Sequence, residues 1–405
     1  MNISMIPIVL LKKLFLTKKY IIFIIYQYKY NIMKKQKMKT KYNNNILFYI
    51  LFLCIIIILI LYCNSYFIIF FIKNLLGKDF PIKEHDELNK FHDNPTNFVD
   101  DFYYYYSNYK LDSWNKYYDK FPQKNNTYPL PSINVDQIDL IQQYTNNYRT
   151  PLVIKGLIKD FPCVKKWNIE YLKEHCGQYL VKGFTKSDGK EMLTDQFNNV
   201  KVLENVRFAN ACDMIQNGEQ IYINNFHSIF IDCTILQKDL DLKKLNDITP
   251  IEYADTSQLF FGPKGTGTTL HCAMKSNIFY NVKGNKKWTF IDPVYSPYLS
   301  AVLSSNGIFV VSKLNYFKDK SILRHIPKYE YTLEEGDVLF NPSWWWHCVE
   351  NMTEYTIGVA NRSNLGFQWY DNNNPTFTIN SILTRPYQMY KIGNMKALDV
   401  DVTGK

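Results

Sequence analysis

Two histidines stand where side-chain chemistry is most readily built. His271 closes GTGTTLH inside the stretch Phe260–Pro293 (FFGPKGTGTTLHCAMKSNIFYNVKGNKKWTFIDP), and His347 closes SWWWH inside Gly336–Asn361 (GDVLFNPSWWWHCVENMTEYTIGVAN). Imidazoles on facing strands can share one metal ion. Lys286 follows His271 by fifteen residues and Thr268 precedes it by three. Each residue alone has an ordinary reading. The histidines could be hydrogen-bonded core residues, Trp344, Trp345 and Trp346 core aromatics, Lys286 a turn lysine like Lys283 and Lys287, and Thr268 a strand former. The joint pattern GTGTxxH, lysine, GDxLFxPxWWWH lifts them above that reading.

The elements that must carry these residues read as many short strands joined by Gly, Pro and Asn turns, which predicts a mainly β sandwich or jelly roll with flanking helices. Pro151–Gly156 (PLVIKG) and Glu219–Asn224 (EQIYIN) are strand-like, and Asn168–Cys176 is helix-like. Aromatic content of 16% suits β structure. The net charge of +10 resides in residues 1–45, which hold ten lysines and no acid; the remainder carries 37 basic and 37 acidic side chains. A neutral folded part gives no electrostatic footprint for nucleic acid. The eight cysteines show no CxxC and no paired zinc spacing, though some could pair in an oxidising compartment.

Residues 46–72 contain no charged side chain. As a helix they would extend about 40 Å, more than the roughly 30 Å of a bilayer's hydrocarbon core. The expectation is a transmembrane signal anchor whose partner is the lipid bilayer. The lysine-rich arm 1–45, in which Met33 opens a compact basic segment of its own, keeps the N-terminus cytosolic. The rest of this single-pass chain then faces the lumen or the exterior. A polar stalk over 73–131 is expected to follow, and a capping segment with a tail over 371–405. Asn125, Asn351 and Asn361 lie in formal N-glycosylation triplets.

On GTGTxxH, Lys286 and GDxLFxPxWWWH, with Trp167 and Tyr171-Leu172 downstream of PLVIKG, residues 132–370 resemble the JmjC/cupin-like family of Fe(II)- and 2-oxoglutarate-dependent dioxygenases, most of all its small hydroxylase-type members. The resemblance implies a double-stranded β-helix and the cofactors Fe(II) and 2-oxoglutarate. It places His271 and His347 at two metal-ligand positions, and Lys286 and Thr268 on the distal carboxylate of 2-oxoglutarate. Asn277, Asn361 and Tyr222 fall where further cosubstrate contacts lie. The substrate, a protein or small molecule, is left open.

The chain departs from the family's HxD or HxE pair at one position, reading His271-Cys272-Ala273. An alanine methyl binds no iron, and Cys272 on a strand points away from the side that His271 faces. Three readings follow. One is a hydroxylase-like oxygenase of weak or absent turnover whose iron is completed from elsewhere. The second is an inactive JmjC-fold binding or structural module. The third is a halogenase-like oxygenase that takes chloride at the vacant position.

Overall fold

The computed structural model describes residues 65–77, 98–122, 125–186, 190–193, 200–243, 253–363 and 373–387. Strands are numbered in chain order. One sheet of seven strands runs β1 (Thr127–Pro129), β13 (Lys328–Leu333), β10 (Lys286–Ile291), β15 (Trp346–Asn351), β8 (Gly267–Ala273), β12 (Phe309–Ser312), β11 (Ala301–Leu303). The other, of nine, runs β2 (Ser132–Asn134), β3 (Leu152–Lys155), β14 (Val338–Asn341), β9 (Asn277–Lys283), β16 (Tyr355–Ser363), β7 (Tyr253–Pro263), β6 (Gln220–Phe226), β4 (Leu180–Lys186), β5 (Val200–Arg207). Two mainly antiparallel sheets with flanking helices meet the jelly-roll expectation.

Strand alternation sorts the side chains into three apolar layers. Tyr222, Phe260, Phe279, Trp288, Phe290, Leu339 and Trp345 fill the space shared by the two sheets. The other face of the nine-stranded sheet, with Ile223, Phe261, Ile278, Tyr280, Phe340 and Val359, packs on Trp167, Leu172, Phe208 and Phe230 from the helical segments Ile169–Cys176, Phe208–Gln216 and Ser228–Asp232 and their flanks. There the buried Asp239 carboxylate accepts from Trp167 Nε1 (3.2 Å), Tyr171 Oη (2.5 Å) and Lys166 Nζ (2.7 Å). Cys176 and Cys233 form a disulfide across the same layer, while Cys163, Cys212, Cys272 and Cys348 are buried thiols.

The outer face of the histidine-bearing sheet is covered from segments assigned elsewhere by the sequence reading. Helix α1 (Ser65–Leu76) buries Tyr66 and Phe70, and helix α2 (Phe98–Tyr118) buries Tyr103 and Leu111, in one cluster with Leu270, Cys272, Trp344, Trp346 and Phe377. The Phe70 ring lies 5.9 Å from Tyr103 and 5.0 Å from Phe377 of the helix Pro375–Thr384. Two expectations change here. Tyr66–Ile72, the end of the anticipated span 46–72, belongs to a helix packed on protein, and residues 46–64 lie outside the described residues, as does the arm 1–45. Among the described residues no helix is long and apolar enough to cross a membrane. The segment 73–131, expected as a stalk, supplies α2, which is bonded to the domain through Ser107 Oγ to Pro297 O (3.2 Å), Trp114 Nε1 to His325 O (3.3 Å) and Asn115 Nδ2 to Ile322 O (3.1 Å). A tyrosine-rich helix reads as polar in sequence, yet one of its faces buries ring area against a partner.

The two helices are joined by an ion pair away from water: Lys73 Nζ and Asp100 Oδ1 are 2.9 Å apart, with side chains 1% and 3% exposed. Removing one member leaves a buried charge without its counter-ion. Lys73→Met is therefore expected to destabilise the chain by about 3–5 kcal/mol in chemical denaturation, and Lys73→Met with Asp100→Leu by much less. Equal losses in the single and double variants would contradict a buried pair.

Candidate functional site

Three backbone devices aim polar side chains into the space that the sheets share. The first is the Gly284-Asn285 link from β9 to β10, where the chain changes sheets. Gly284 has φ +71°, and a Cβ there would overlap the Tyr355 carbonyl and the Thr353 hydroxyl. Lys286 is the first residue after this link. The second is a β-bulge in β8: His271 pairs with His347 and Thr268 with Val349, so two residues of β8 separate the pairs where β15 has one. On a regular strand Thr268 and His271, three apart, would face opposite sides; the extra residue puts both on the inner side. The third is Gly267, where a Cβ would strike the Val349 carbonyl, so only glycine lets β8 approach β15 this closely.

His271 and His347 are direct neighbours across β8 and β15, with ring centroids 4.2 Å apart. Each Nδ1 lies against the carbonyl two residues earlier: His271 against Thr269 O at 2.7 Å, His347 against Trp345 O at 2.9 Å. A carbonyl only accepts, so each Nδ1 carries the proton and each Nε2 keeps its lone pair. Burial lowers the His271 pKa to about 4. Burial, then the neighbouring His271, takes His347 well below the ordinary histidine range. Both rings are neutral at physiological pH. The Trp288 ring stacks on His347 at 5.4 Å, its buried Nε1–H without a partner, and Asn341 Nδ2 stands 3.4 Å from the His347 ring nitrogens.

Lys286 is wholly buried. Its ammonium sits 5.4 Å from the Phe279 ring centroid and 5.7 Å from that of Tyr222, with no hydrogen-bond partner among the described residues. Two aromatic faces attract a cation but cannot replace its hydration, and burial pulls the Lys286 pKa down to about 7. The Tyr222 hydroxyl lies 3.4 Å from Thr268 Oγ1. Thr268, Tyr222 and Lys286 thus converge. Asn277 also faces inward, on the side of β9 that carries Phe279, and its Oδ1 is buried without a partner.

Asn361 is the exception. It pairs with Ile278 and Ser257, and Ile278, like Ile357 and Val359 of β16, belongs to the outer core of the nine-stranded sheet. Asn361 therefore faces away from the site, and its inward-facing neighbour is Arg362, opposite Asn277. The Arg362 guanidinium donates to Gln258 Oε1 (3.3 Å) and Asn225 Oδ1 (3.4 Å), both neutral. Its charge helps to depress the titration of His271, His347 and Lys275, so it acts on this same space. Arg362, Asn341 and Trp288 are site residues that the sequence reading missed, and Lys275 lies in the turn between β8 and β9. Only the side alternation of Gly358, Ala360 and Arg362 hinted at the first.

The donor set does not suit a facial triad. The inward residue after His271 on β8 is Ala273, Cys272 is packed in the outer cluster, and among the described residues no three His, Cys, Asp or Glu side chains converge.

The fold and this inward-facing pocket define a cupin-type jelly roll with its polar site between the sheets. The chain belongs to the cupin-like domain family, whose model matches residues 139–374, and its relatives are JmjC proteins. It is 23% identical over 287 residues to the arginine-specific demethylase JMJ22 of Arabidopsis thaliana, covering 64% of this chain and 52% of that protein. It is 27% identical over 214 residues to the lysine-specific demethylase JMJ30 of the same plant, covering 50% and 48%. To the tRNA wybutosine-synthesizing protein 5 of Gallus gallus it is 25% identical over 225 residues, covering 52% and 69%. The chain spans about half the length of the two plant relatives.

The buried lysine has a measurable signature. Between about pH 7 and 10.5 the folded chain has shed the Lys286 proton while the unfolded chain keeps it. The unfolded state then binds more protons, so stability rises with pH across that window. Lys286→Met is expected to raise stability at neutral pH by about 1–3 kcal/mol and to flatten this slope in denaturation curves. An unchanged slope would mean that Lys286 is solvated.

Proposed function

We propose that this chain is a membrane-anchored, cupin-like binding domain of the JmjC kind. It takes 2-oxoglutarate or a close dicarboxylate and has lost efficient Fe(II)-dependent hydroxylation. One observation carries the reading: a fully buried Lys286 ammonium, unpartnered among the described residues, converging with Thr268 and Tyr222 in the space that holds two histidines for which the described residues offer no third ligand. Ala273 stands, on this reading, at the family's carboxylate position. An ammonium that lacks an acid within a dry pocket is a receptor for a carboxylate, because the pair forms a charge-assisted hydrogen bond where water competes poorly.

A second reading rests on the preset Nε2 lone pairs of His271 and His347, which suit weak iron binding completed by the cosubstrate or water. If iron and 2-oxoglutarate are held together, they supply the oxidising chemistry of the family. The relatives' names speak of demethylation at arginine and lysine and of a tRNA modification, so they select no single substrate. With Fe(II) present, the full-length chain is expected to decarboxylate 2-oxoglutarate at least about tenfold more slowly than Ala273→Asp, given what even an outer ligand partner contributes. Equal turnover would overturn the loss of activity.

Placement of the domain beyond a membrane is supported by the charge-free stretch 46–64, by the lysine-rich arm before it, and by the Cys176–Cys233 disulfide, which suits an oxidising compartment. Asn351 and Asn361 are completely buried and closed to modification, whereas Asn125 is exposed, its Oδ1 accepting from the Thr127 amide at 3.0 Å. Endoglycosidase treatment of the chain expressed in eukaryotic cells is expected to shift its mobility, and Asn125→Gln to abolish that shift. Protease sensitivity of the C-terminal domain in sealed microsomes would contradict the placement.

A further inference from the structure

We propose that Arg362 and Lys275 receive the second carboxylate of the dicarboxylate whose first carboxylate lies on Lys286, so that the pocket is a two-ended anion clamp that needs no metal. This rests on the Lys286 reading above and extends it to the opposite end of the same ligand.

The geometry that points there is the distribution of unpaired charge. Neither Arg362 nor Lys275 makes an ion pair with a described residue; Arg362 is held only by the amide oxygens of Gln258 and Asn225. Neutral acceptors at 3.3 and 3.4 Å orient a guanidinium without neutralising it, which leaves its charge for an incoming group. Lys275 lies in the short turn between Ala273 and Asn277, at the end of β8 where a family carboxylate would contribute negative charge. In this chain that end has lost its anion and holds two cations instead.

The spacing suits a short chain of carbons. Phe279, whose ring underlies the Lys286 ammonium, and Asn277, which faces Arg362, are successive inward residues on β9. One such step is about 7 Å along a strand. An extended five-carbon diacid measures on the order of 5 Å between its end carbons, and hydrogen bonds at both ends lengthen its reach. His271 and His347 face the same space between the sheets, and their Nε2 atoms accept hydrogen bonds. In a metal-held ligand the 2-oxo group would be part of the chelate. In this clamp it is dispensable, and both carboxylates are required.

The test is calorimetric titration of the full-length chain in nonionic detergent with EDTA, using 2-oxoglutarate, glutarate and the monocarboxylate butyrate. The clamp predicts comparable binding of 2-oxoglutarate and glutarate without metal, and much weaker binding of butyrate. Arg362→Gln should weaken both dicarboxylates about tenfold or more, the loss expected of one charged hydrogen bond, and leave butyrate unchanged. Arg362→Lys should restore part of the affinity, which a merely structural role for Arg362 would not allow. If Lys286→Met abolishes dicarboxylate binding while Arg362→Gln leaves it intact, the two-ended clamp is wrong and the Lys286 site stands. If Lys286→Met has no effect, the reading beneath both fails. Binding that demands Fe(II) and the 2-oxo group puts the second carboxylate on a metal and overturns the proposal.

Discussion

A positive charge buried between two sheets, with no acid among the described residues to meet it, is the constraint to which the rest of the domain answers. Lys286 reaches its position because the chain crosses from one sheet to the other at Gly284 and enters β10 with its first side chain inward. Phe279 and Tyr222 line the ammonium's path, and the bulge in β8 brings the Thr268 hydroxyl to the Tyr222 phenol. An isolated charge in such a place costs several kcal/mol unless it is neutralised or given a counter-ion. The free protein meets that cost partly by deprotonation, as the Lys286 pKa near 7 indicates. On the proposed reading, a carboxylate bound beside the ammonium would meet the rest. The packing of aromatic and aliphatic side chains between the sheets shields the ammonium from water.

The outer layers hold this arrangement rigid. Behind β8 and β15, α1, α2 and the helix Pro375–Thr384 press Phe70, Tyr103 and Phe377 on Trp344 and Trp346, whose indole nitrogens donate to Thr378 Oγ1 (2.8 Å) and Ser296 Oγ (2.9 Å). Trp345, turned inward by the alternation, donates to the Arg149 carbonyl (2.7 Å). Three consecutive tryptophans thus have satisfied donors, and His347 immediately after them is fixed in rotation by its bond to Trp345 O. A helix next to a charge-free segment therefore helps to set the position of a ligand-facing histidine. Any piece of the chain beginning at Ser132 lacks α1 and α2 and would expose that face.

Much of this was legible in the residues. The joint pattern singled out His271, His347, Lys286 and Thr268, the family resemblance added Tyr222 and Asn277, and the strand argument that turned Cys272 away holds, since its thiol lies in the outer cluster. Two things were not legible. The faces of β16 depend on its register with β7 and β9, so Asn361 was placed inward where Arg362 belongs; a slip of one residue inverts every side chain. The helical packing of 66–76 and 98–118 escaped because the aromatics of α2 occur on several of its sides. Phe98, Phe102, Tyr105 and Tyr109 remain exposed, so no clean apolar stripe marked the buried face.

The central claim is that Lys286 is a buried cation awaiting an anion, and its own titration reads that out most directly. Nuclear magnetic resonance of lysine side-chain nitrogens in the full-length chain, assigned with Lys286→Met, gives the pKa with and without 2-oxoglutarate in the presence of EDTA. The account predicts a midpoint near 7 in the free protein that climbs steeply toward the ordinary lysine range of about 10.5 when the dicarboxylate binds. A midpoint already at about 10.5 in the free protein and indifferent to the ligand would contradict it.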